Sequence, residues 1–299
     1  MKKMLFIYNP RAGKGKIRQQ LSDIIELLEQ NCCEVVIHPT KCKLDAVRII
    51  EDSFNQQEYQ YVVCCGGDGT LNEVVNSIMS LPNKPKVGYL PAGTTNDYAY
   101  SLNLPKNLLK VTQLIIEDRM YTCDVGTFND KYFVYSATFG IFTSAAYQTP
   151  QTRKKAIGKL AYLLEGMKEL SHWKSYSMEL YLENKVISDQ FIYGMITNTK
   201  SIGGIHGITG KDVVLNDGEF EGVFIRTPHC FMDILNIIKD LKKGNLNTEY
   251  ILSFPINKLF IRSREAIPWC IDGEYGGSVQ DVDIRNNSQE LIIASLLNG

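Results

Sequence analysis

Over the first 120 residues, short apolar runs alternate with stretches whose apolar positions recur three and four apart. Leu5–Tyr8, Val35–Ile37, Tyr61–Cys65 and Val87–Leu90 are nearly continuous apolar runs, the pattern of strands buried on both faces. Between them Ile17, Leu21, Ile24, Ile25 and Leu28 fall at helical spacing. So do Leu44, Val47, Ile50 and Phe54, and again Leu71, Val74, Val75, Ile78 and Met79. Strands alternating with helices predict an α/β domain around a mostly parallel sheet.

The pattern changes after about Cys123. Lys131–Thr138, Ser175–Leu182, Val186–Thr197 and Gly222–Arg226 read as strands. The turn pairs Asn129-Asp130, Glu183-Asn184, Asp217-Gly218 and Asp272-Gly273 stand among them. Hairpin connections predict an antiparallel, β-rich second domain. Two amphipathic helices interrupt it. One carries Ile157, Leu160, Leu164, Met167 and Leu170; the other turns Ile234, Leu235, Ile238 and Leu241 inward.

Length agrees with two domains, since 299 residues is about twice the roughly 150 of an average domain. Lys+Arg is 32 against Asp+Glu 33, a net charge of -1. That removes the basic excess by which a nucleic-acid binder neutralises phosphates. The apolar run Leu291–Leu297 is far short of the roughly 18–20 residues of a membrane span. The apolar residues at the start stop at Asn9-Pro10, too soon for a signal peptide. The expectation is a cytoplasmic protein, peripheral to any membrane it meets. The eight cysteines include no C-x-x-C pair, so a zinc ribbon is not expected and free thiols are. Cys64 and Cys65 close an apolar strand and read as buried small hydrophobes.

The chemistry gathers where strands end. Gly66-Gly67-Asp68-Gly69-Thr70 follows the third strand and opens a helix. Glycines let the backbone approach a phosphate, and the first N–H groups of the helix are unpaired at the positive end of its dipole. Asp68 repels phosphate unless a divalent cation bridges the two, so Mg²⁺ with a nucleotide is expected. The loop is neither a P-loop nor a dinucleotide fingerprint. Pro91-Ala92-Gly93-Thr94-Thr95-Asn96-Asp97 follows the fourth strand, with Thr94 or Thr95 also suited to cap a helix through Tyr98–Leu102. Asn9-Pro10-Arg11-Ala12-Gly13-Lys14-Gly15-Lys16 follows the first. Carboxyl ends of parallel strands are where such sheets bind ligands.

Asn9-Pro10, Gly66–Thr70 with Asn72-Glu73, Pro91-x-Gly93-Thr94-x-Asn96-Asp97 and Asp272-Gly273-Glu274, in that order, resemble the diacylglycerol kinase catalytic-domain family. That family includes bacterial soluble lipid kinases and the sphingosine and ceramide kinases. The glycine motif alone is shared with NAD kinases and phosphofructokinases; the combination is more specific. The resemblance implies a Rossmann-like nucleotide-binding domain, residues 1–123, to which a C-terminal strand at about 289–299 returns. It implies a β-sandwich domain over 124–288. It also implies ATP-dependent phosphorylation of a lipid alcohol, diacylglycerol first, with ATP and Mg²⁺.

Carried over by position, Gly66, Gly67, Asp68, Gly69, Thr70, Leu71, Asn72 and Thr94 would meet the ATP phosphates. Asn9, Pro10, Arg11, Ala12, Gly13 and Thr40 would lie near the nucleotide. Asp68 and Asp97 would organise the catalytic Mg²⁺, and Glu274 would be the general base that takes the lipid hydroxyl's proton. A structural Mg²⁺ is implied at Asp217, with carbonyls near Val214 and Glu219. Asn216 replaces an acidic residue often found there. Lys43-Leu44-Asp45-Ala46 departs from a common Gly-His-Ala.

Phe139–Ala146 and Ile202–Gly210 are apolar and Gly-rich, suited to an acyl chain or to a core. Arg153, Lys154, Lys155 and Lys159 form a basic cluster, suited to an anionic membrane or to a solvated helix face. His206 reads as a loop residue. The expected partner is a lipid at a membrane surface, and the oligomeric state stays open, a homodimer among the options. Two other functions share these motifs: a kinase for a soluble acceptor such as NAD, and a catalytically silent lipid- or nucleotide-binding regulator.

Overall fold

The computed structural model describes residues 2–15, 17–31, 33–141, 174–202, 205–206 and 213–297. The helix expected over Ile157–Leu170, the basic cluster Arg153–Lys159, and residues 142–146, 203–204 and 207–210 of the two apolar segments lie outside them. The chain divides into two compact units, Met1–Val125 with Gln289–Gly299, and Gly126–Ser288. No described helix is long and apolar enough to cross a membrane.

In the first unit β1 (Lys2–Tyr8), β2 (Cys33–Pro39), β3 (Tyr61–Gly66) and β4 (Lys86–Pro91) pair in parallel in the order β2-β1-β3-β4. Ile293, near the end of the chain's last strand, pairs in parallel with Val87 of β4. Met4, Phe6, Val63 and Leu90 pack with Ile17, Ile24 and Leu28 of α1 (Ile17–Gln30) and Val111 and Ile115 of a later helix, Leu108–Ile116. Alternate residues Leu5, Ile7, Val62 and Cys64 are buried as well, so both faces are covered. α2 (Asp45–Gln56) and α3 (Asp68–Met79) pack on each other. Cys64 and Cys65 are free and buried. The strand order reverses direction between β1 and β3, and the carboxyl ends of the strands at such a point are where sheets of this kind bind ligands.

Two local expectations are corrected here. Leu44 is not part of α2; it sits before it in the left-handed region, φ 64, and is exposed. The helix that follows β4, α4 (Asp97–Ser101), begins after Asn96, and neither Thr94 nor Thr95 caps it. The helix Leu108–Ile116, α5, is capped by the Asn107 side chain, which accepts from Leu109 N and Lys110 N.

β5 (Met120–Phe128) leads into the second unit, where the strand pairs registered among the described residues are antiparallel. The strand expected over Lys131–Thr138 is two, β6 (Lys131–Phe133) and β7 (Ser136–Gly140). The break falls at Val134 and Tyr135, whose N–H groups leave the ladder for a carboxylate described below. β8 (Tyr176–Leu182), β9 (Lys185–Thr197), a short hairpin of β10 (Ser201–Ile202) and β11 (Ile205–His206), and β12 (Phe220–Arg226) follow. Then come α6 (Phe231–Lys243), β13 (Ile251–Ile256), β14 (Lys258–Ile271) and the 21-residue β15 (Glu274–Ala294). Pairings β8–β9, β9–β7, β7–β14 and β14–β8 close a ring. Inside it Trp269 meets Phe139 and Phe128 at centroid distances of 4.9 and 5.0 Å.

Candidate active site

At the carboxyl edge of the parallel sheet, three backbone hydrogen bonds tie four loops into a row. Thr40 N donates to Tyr8 O, Asn9 N to Cys65 O and Ala92 N to Gly66 O, each at 2.8 Å. The loops after β2, β1, β3 and β4 are thereby held side by side.

The loop after β1 is a turn that its own sequence dictates. Pro10 presets the second position, Asn9 Oδ1 accepts Arg11 N at 2.9 Å, and Asn9 O accepts Ala12 N at 3.1 Å. Gly13 has φ +54, and a Cβ there would strike the Ala92 carbonyl oxygen. The loops after β3 and β4 touch as closely. A Cβ on Gly93 would lie 2.5 Å from Gly67 Cα. Side chains are excluded where these loops meet, so backbone is what the row presents.

Gly67 precedes α3, and no side chain caps that helix. Thr70 N and Leu71 N donate to Gly67 O at 3.0 and 3.2 Å, and the opening of a helix that no side chain caps is where an anion can be held. Asp68, in the first turn, turns its carboxylate aside and is buried. Asp68 Oδ2 accepts Asp97 N at 3.2 Å, and Oδ1 accepts Tyr98 N at 3.4 Å. The cap of α4 thus comes from the glycine loop, 29 residues earlier. The Tyr89 hydroxyl lies 3.3 Å from Asp68 Oδ1 and 3.4 Å from Asn96 Oδ1. Burial and the nearby Asp68 charge push the Tyr89 phenol well above its usual range, so it stays a proton donor. Asn96, at φ 53, closes its own loop by accepting Gly93 N at 2.9 Å and donating to Gly93 O at 3.1 Å.

Of the other residues expected here, Asp97 is buried beside Asp68, and Thr94 is exposed on the loop surface. Leu71 points into the core, and its N–H donates to Gly67 O at 3.2 Å. Asn72 and Thr70 lie on the first turns of α3. Arg11, Ala12 and Gly13 follow the Asn9-Pro10 turn. Asp124 was not singled out by sequence. It is fully buried on β5, and its Oδ1 accepts Gln289 N at 2.8 Å, joining β5 to the returning segment. A lone acid inside the apolar run Tyr121–Phe128 was the available signal.

In the second unit, Asp272-Gly273 forms the turn between β14 and β15, with φ 47 and 82. Two left-handed residues in succession make the turn type that suits a twisted hairpin. Asp272 is also an anchor. Its buried carboxylate accepts Val134 N at 2.7 Å and Tyr135 N and Ser136 N at 2.9 Å each, and its own N–H donates to Ser136 O at 2.8 Å. Glu274 follows the turn and is exposed, with Tyr275 beside it.

Elsewhere in that unit, Asp217 Oδ1 accepts Glu219 N at 3.1 Å, and Gly218 O accepts Asn257 Nδ2 at 2.9 Å. Val214, Asp217 and Glu219 are exposed. Glu221 is different: its buried Oε2 has no hydrogen-bond partner. Burial, with added repulsion from Asp217 and Glu219, pushes its carboxyl up to about 8. Among the described residues no three His, Cys, Asp or Glu side chains are grouped to hold a metal.

A family model described as the diacylglycerol kinase catalytic domain matches residues 3–128. The diacylglycerol kinase of Bacillus subtilis (strain 168) is 31% identical over 278 residues, 93% of this chain and 91% of its own. That of Staphylococcus haemolyticus (strain JCSC1435) is 30% identical over 274 residues, 91% of this chain and 82% of its own. A solved structure of a diacylglycerol kinase from Bacillus anthracis str. Sterne shares the fold, with a TM-score of 0.75 at 20% identity over 98% of this chain and 97% of that one. With relatives this similar along nearly its whole length, the chain belongs to the diacylglycerol kinase family.

Proposed function

We propose that this protein is an ATP-dependent lipid kinase that transfers the terminal phosphoryl group of ATP to a lipid alcohol, diacylglycerol first, with phosphatidic acid as product. The observation that carries the reading is the row of backbone-lined loops whose fourth member is fixed to its third by Asp68. The domain assignment that goes with it is a Rossmann-like nucleotide domain, residues 1–123 with 289–299, and a β-sandwich lipid domain, residues 124–288.

In this reading the N–H groups opening α3 and the backbone around Gly13, Gly67 and Gly93 receive the phosphates. Asn9–Gly13, Thr40, Thr70, Asn72 and Thr94 flank the nucleotide. Asp68 and Asp97 are two buried carboxylates with no third acidic, His or Cys ligand grouped beside them among the described residues. That donor set suits Mg²⁺, which takes one or two carboxylates and fills its other positions with water and phosphate oxygens. Bound there, Mg²⁺ would neutralise phosphate charge. Glu274 accepts the proton of the lipid hydroxyl as that oxygen bonds to the γ-phosphorus and the bond to ADP breaks. Asp272 holds the turn that carries Glu274. A second Mg²⁺ is proposed at the Asp217 side chain with the Val214 and Glu219 carbonyls, a hard-oxygen set.

Transfer of label from γ-labelled ATP into organic-extractable product, with diacylglycerol in mixed micelles, tests the function. Phosphatidic acid formed by the wild type and not by Asp68→Ala is the expected result. Label in an aqueous acceptor such as NAD would overturn the lipid assignment. ATP binding without transfer to any acceptor would overturn the kinase assignment.

A further inference from the structure

We propose that the first turn of α6 is a membrane-insertion surface, by which the enzyme docks on a bilayer containing anionic lipid. The inference rests on the lipid-kinase reading above, which puts the acceptor in a bilayer.

The sequence pattern assigns Leu235 to the buried side of α6, and the structure does not. Ile234, Ile237 and Ile238 are buried against Ile192, Met195, Val223, Ile225 and Ile251. Phe231, Met232 and Leu235 stand 51%, 61% and 40% exposed. These three large apolar side chains form one patch: Leu235 stands four residues from Phe231 and three from Met232, the spacings that adjoin on a helix surface. Isolated exposed hydrophobics are common on any protein; a cluster marks a surface that meets something apolar. The opposite side of α6 is fixed in the core, so the patch cannot roll inward.

Charge identifies what it meets. Met232, Lys239 and Lys243 are spaced seven and four apart and share one exposed face. Asp233 and Asp240, seven apart, lie on the other flank. Asp233 is turned back onto the chain, accepting His229 N at 2.8 Å and Cys230 N at 2.9 Å. The exposed face is therefore apolar at one end and cationic toward the other, with Asp233 turned back onto the chain and Asp240 on the opposite flank. Apolar residues flanked by lysines are what an interfacial helix presents, apolar side chains entering the acyl boundary and lysines meeting anionic headgroups. A protein partner with an acidic rim would be drawn to the lysines, but it would not need a patch to penetrate.

The test is sedimentation of the full-length protein with vesicles of equal parts phosphatidylglycerol and phosphatidylcholine, against vesicles of phosphatidylcholine alone. Binding is expected to the anionic vesicles. It should fall about tenfold or more in a Phe231→Ser, Met232→Ser, Leu235→Ser variant, and also in Lys239→Glu, Lys243→Glu. A Met232→Trp variant supplies a second readout. Its fluorescence should shift to the blue with anionic vesicles and be quenched by lipids brominated in the acyl chain. Unchanged binding of both surface variants, or fluorescence of the Met232→Trp variant indifferent to vesicles, overturns the proposal. Turnover separates this from the kinase reading. The serine variant should lose phosphorylation of long-chain diacylglycerol in vesicles and keep that of a short-chain diacylglycerol dissolved below its micelle concentration. Equal turnover of the vesicle substrate by variant and wild type also overturns the surface. A wild type that phosphorylates neither substrate overturns the kinase reading instead, and the vesicle-binding result then decides the surface by itself.

Discussion

The Asp68 carboxylate accepts the Asp97 backbone N–H at 3.2 Å and the Tyr98 N–H at 3.4 Å, joining the glycine loop to the loop after β4. One charge thereby serves the fold and, in the proposed function, also stands beside the phosphates. The two roles separate by substitution. Asp68→Ala leaves two N–H groups and the Tyr89 hydroxyl without this acceptor, at about 1–3 kcal/mol for each group left unsatisfied. Asp68→Asn keeps one oxygen acceptor and loses the charge. Calorimetry is expected to show a clear fall in Tm for the alanine variant and a smaller one for asparagine. Phosphoryl transfer should fall on the order of 100-fold or more in both. Near-normal transfer in Asp68→Asn would remove the charge from the mechanism.

Asp272 raises the same question in the second unit. Three N–H groups converge on its carboxylate at 2.7–2.9 Å. Asp272→Ala strands all three, and a loss of several kcal/mol is expected, with hydrogen exchange accelerated at Val134–Ser136. Asp272→Asn retains one acceptor oxygen and should fold. Its kcat should drop while its KM for ATP holds, because the change displaces the turn of Glu274 and leaves the phosphate loops alone. A rise in KM for ATP with kcat preserved would contradict that assignment.

The local code of the first unit was readable because it is local. A glycine run between an apolar strand and an amphipathic stretch can hardly form anything but a strand–turn–helix. What could not be read lay in bonds between residues far apart in sequence. Nothing around Thr94 and Thr95 reveals that α4 takes its cap from Asp68. Nothing in Lys131–Thr138 reveals that a carboxylate 138 residues later splits the strand at Val134. Leu44 continues a helical period, yet its N–H goes to Glu73 Oε1 at 2.9 Å and its backbone turns left-handed. Leu235 likewise fits the period of α6 and is exposed, since four isoleucine and leucine positions already fill the buried side. β14 and β15 went unread as strands through most of their length. The run Arg262–Glu265 is polar, and the pairing of Arg262 with Asp281 and of Ser263 with Met178, not composition, holds it in a strand.

Glu274 is exposed on a turn that Asp272 secures, so its removal costs the fold little. Glu274→Gln is expected to leave Tm and ATP affinity unchanged, the latter measured by calorimetric titration, and to remove most turnover. Turnover within severalfold of wild type would assign the base elsewhere.

Glu221 supplies a pH test of the second unit. Its carboxyl rises from 4.5 to about 8 on folding, chiefly through burial and further through Asp217 and Glu219. A raised carboxyl binds its proton more tightly in the folded state. Below pH 4.5 both states are protonated and the group is neutral to stability. Between about 4.5 and 8 the unfolded chain ionises first, so stability falls as pH rises, and above about 8 the loss is complete. Tm of the wild type should decline across that window, and Glu221→Gln should flatten the decline. Mg²⁺ bears on the same slope. A cation held at Asp217 with the Val214 and Glu219 carbonyls would offset the negative charge that raises Glu221 and lift Tm most at the alkaline end. The Mg²⁺-dependent rise should disappear in Asp217→Ala. A rise that survives that substitution would place the cation somewhere other than this turn.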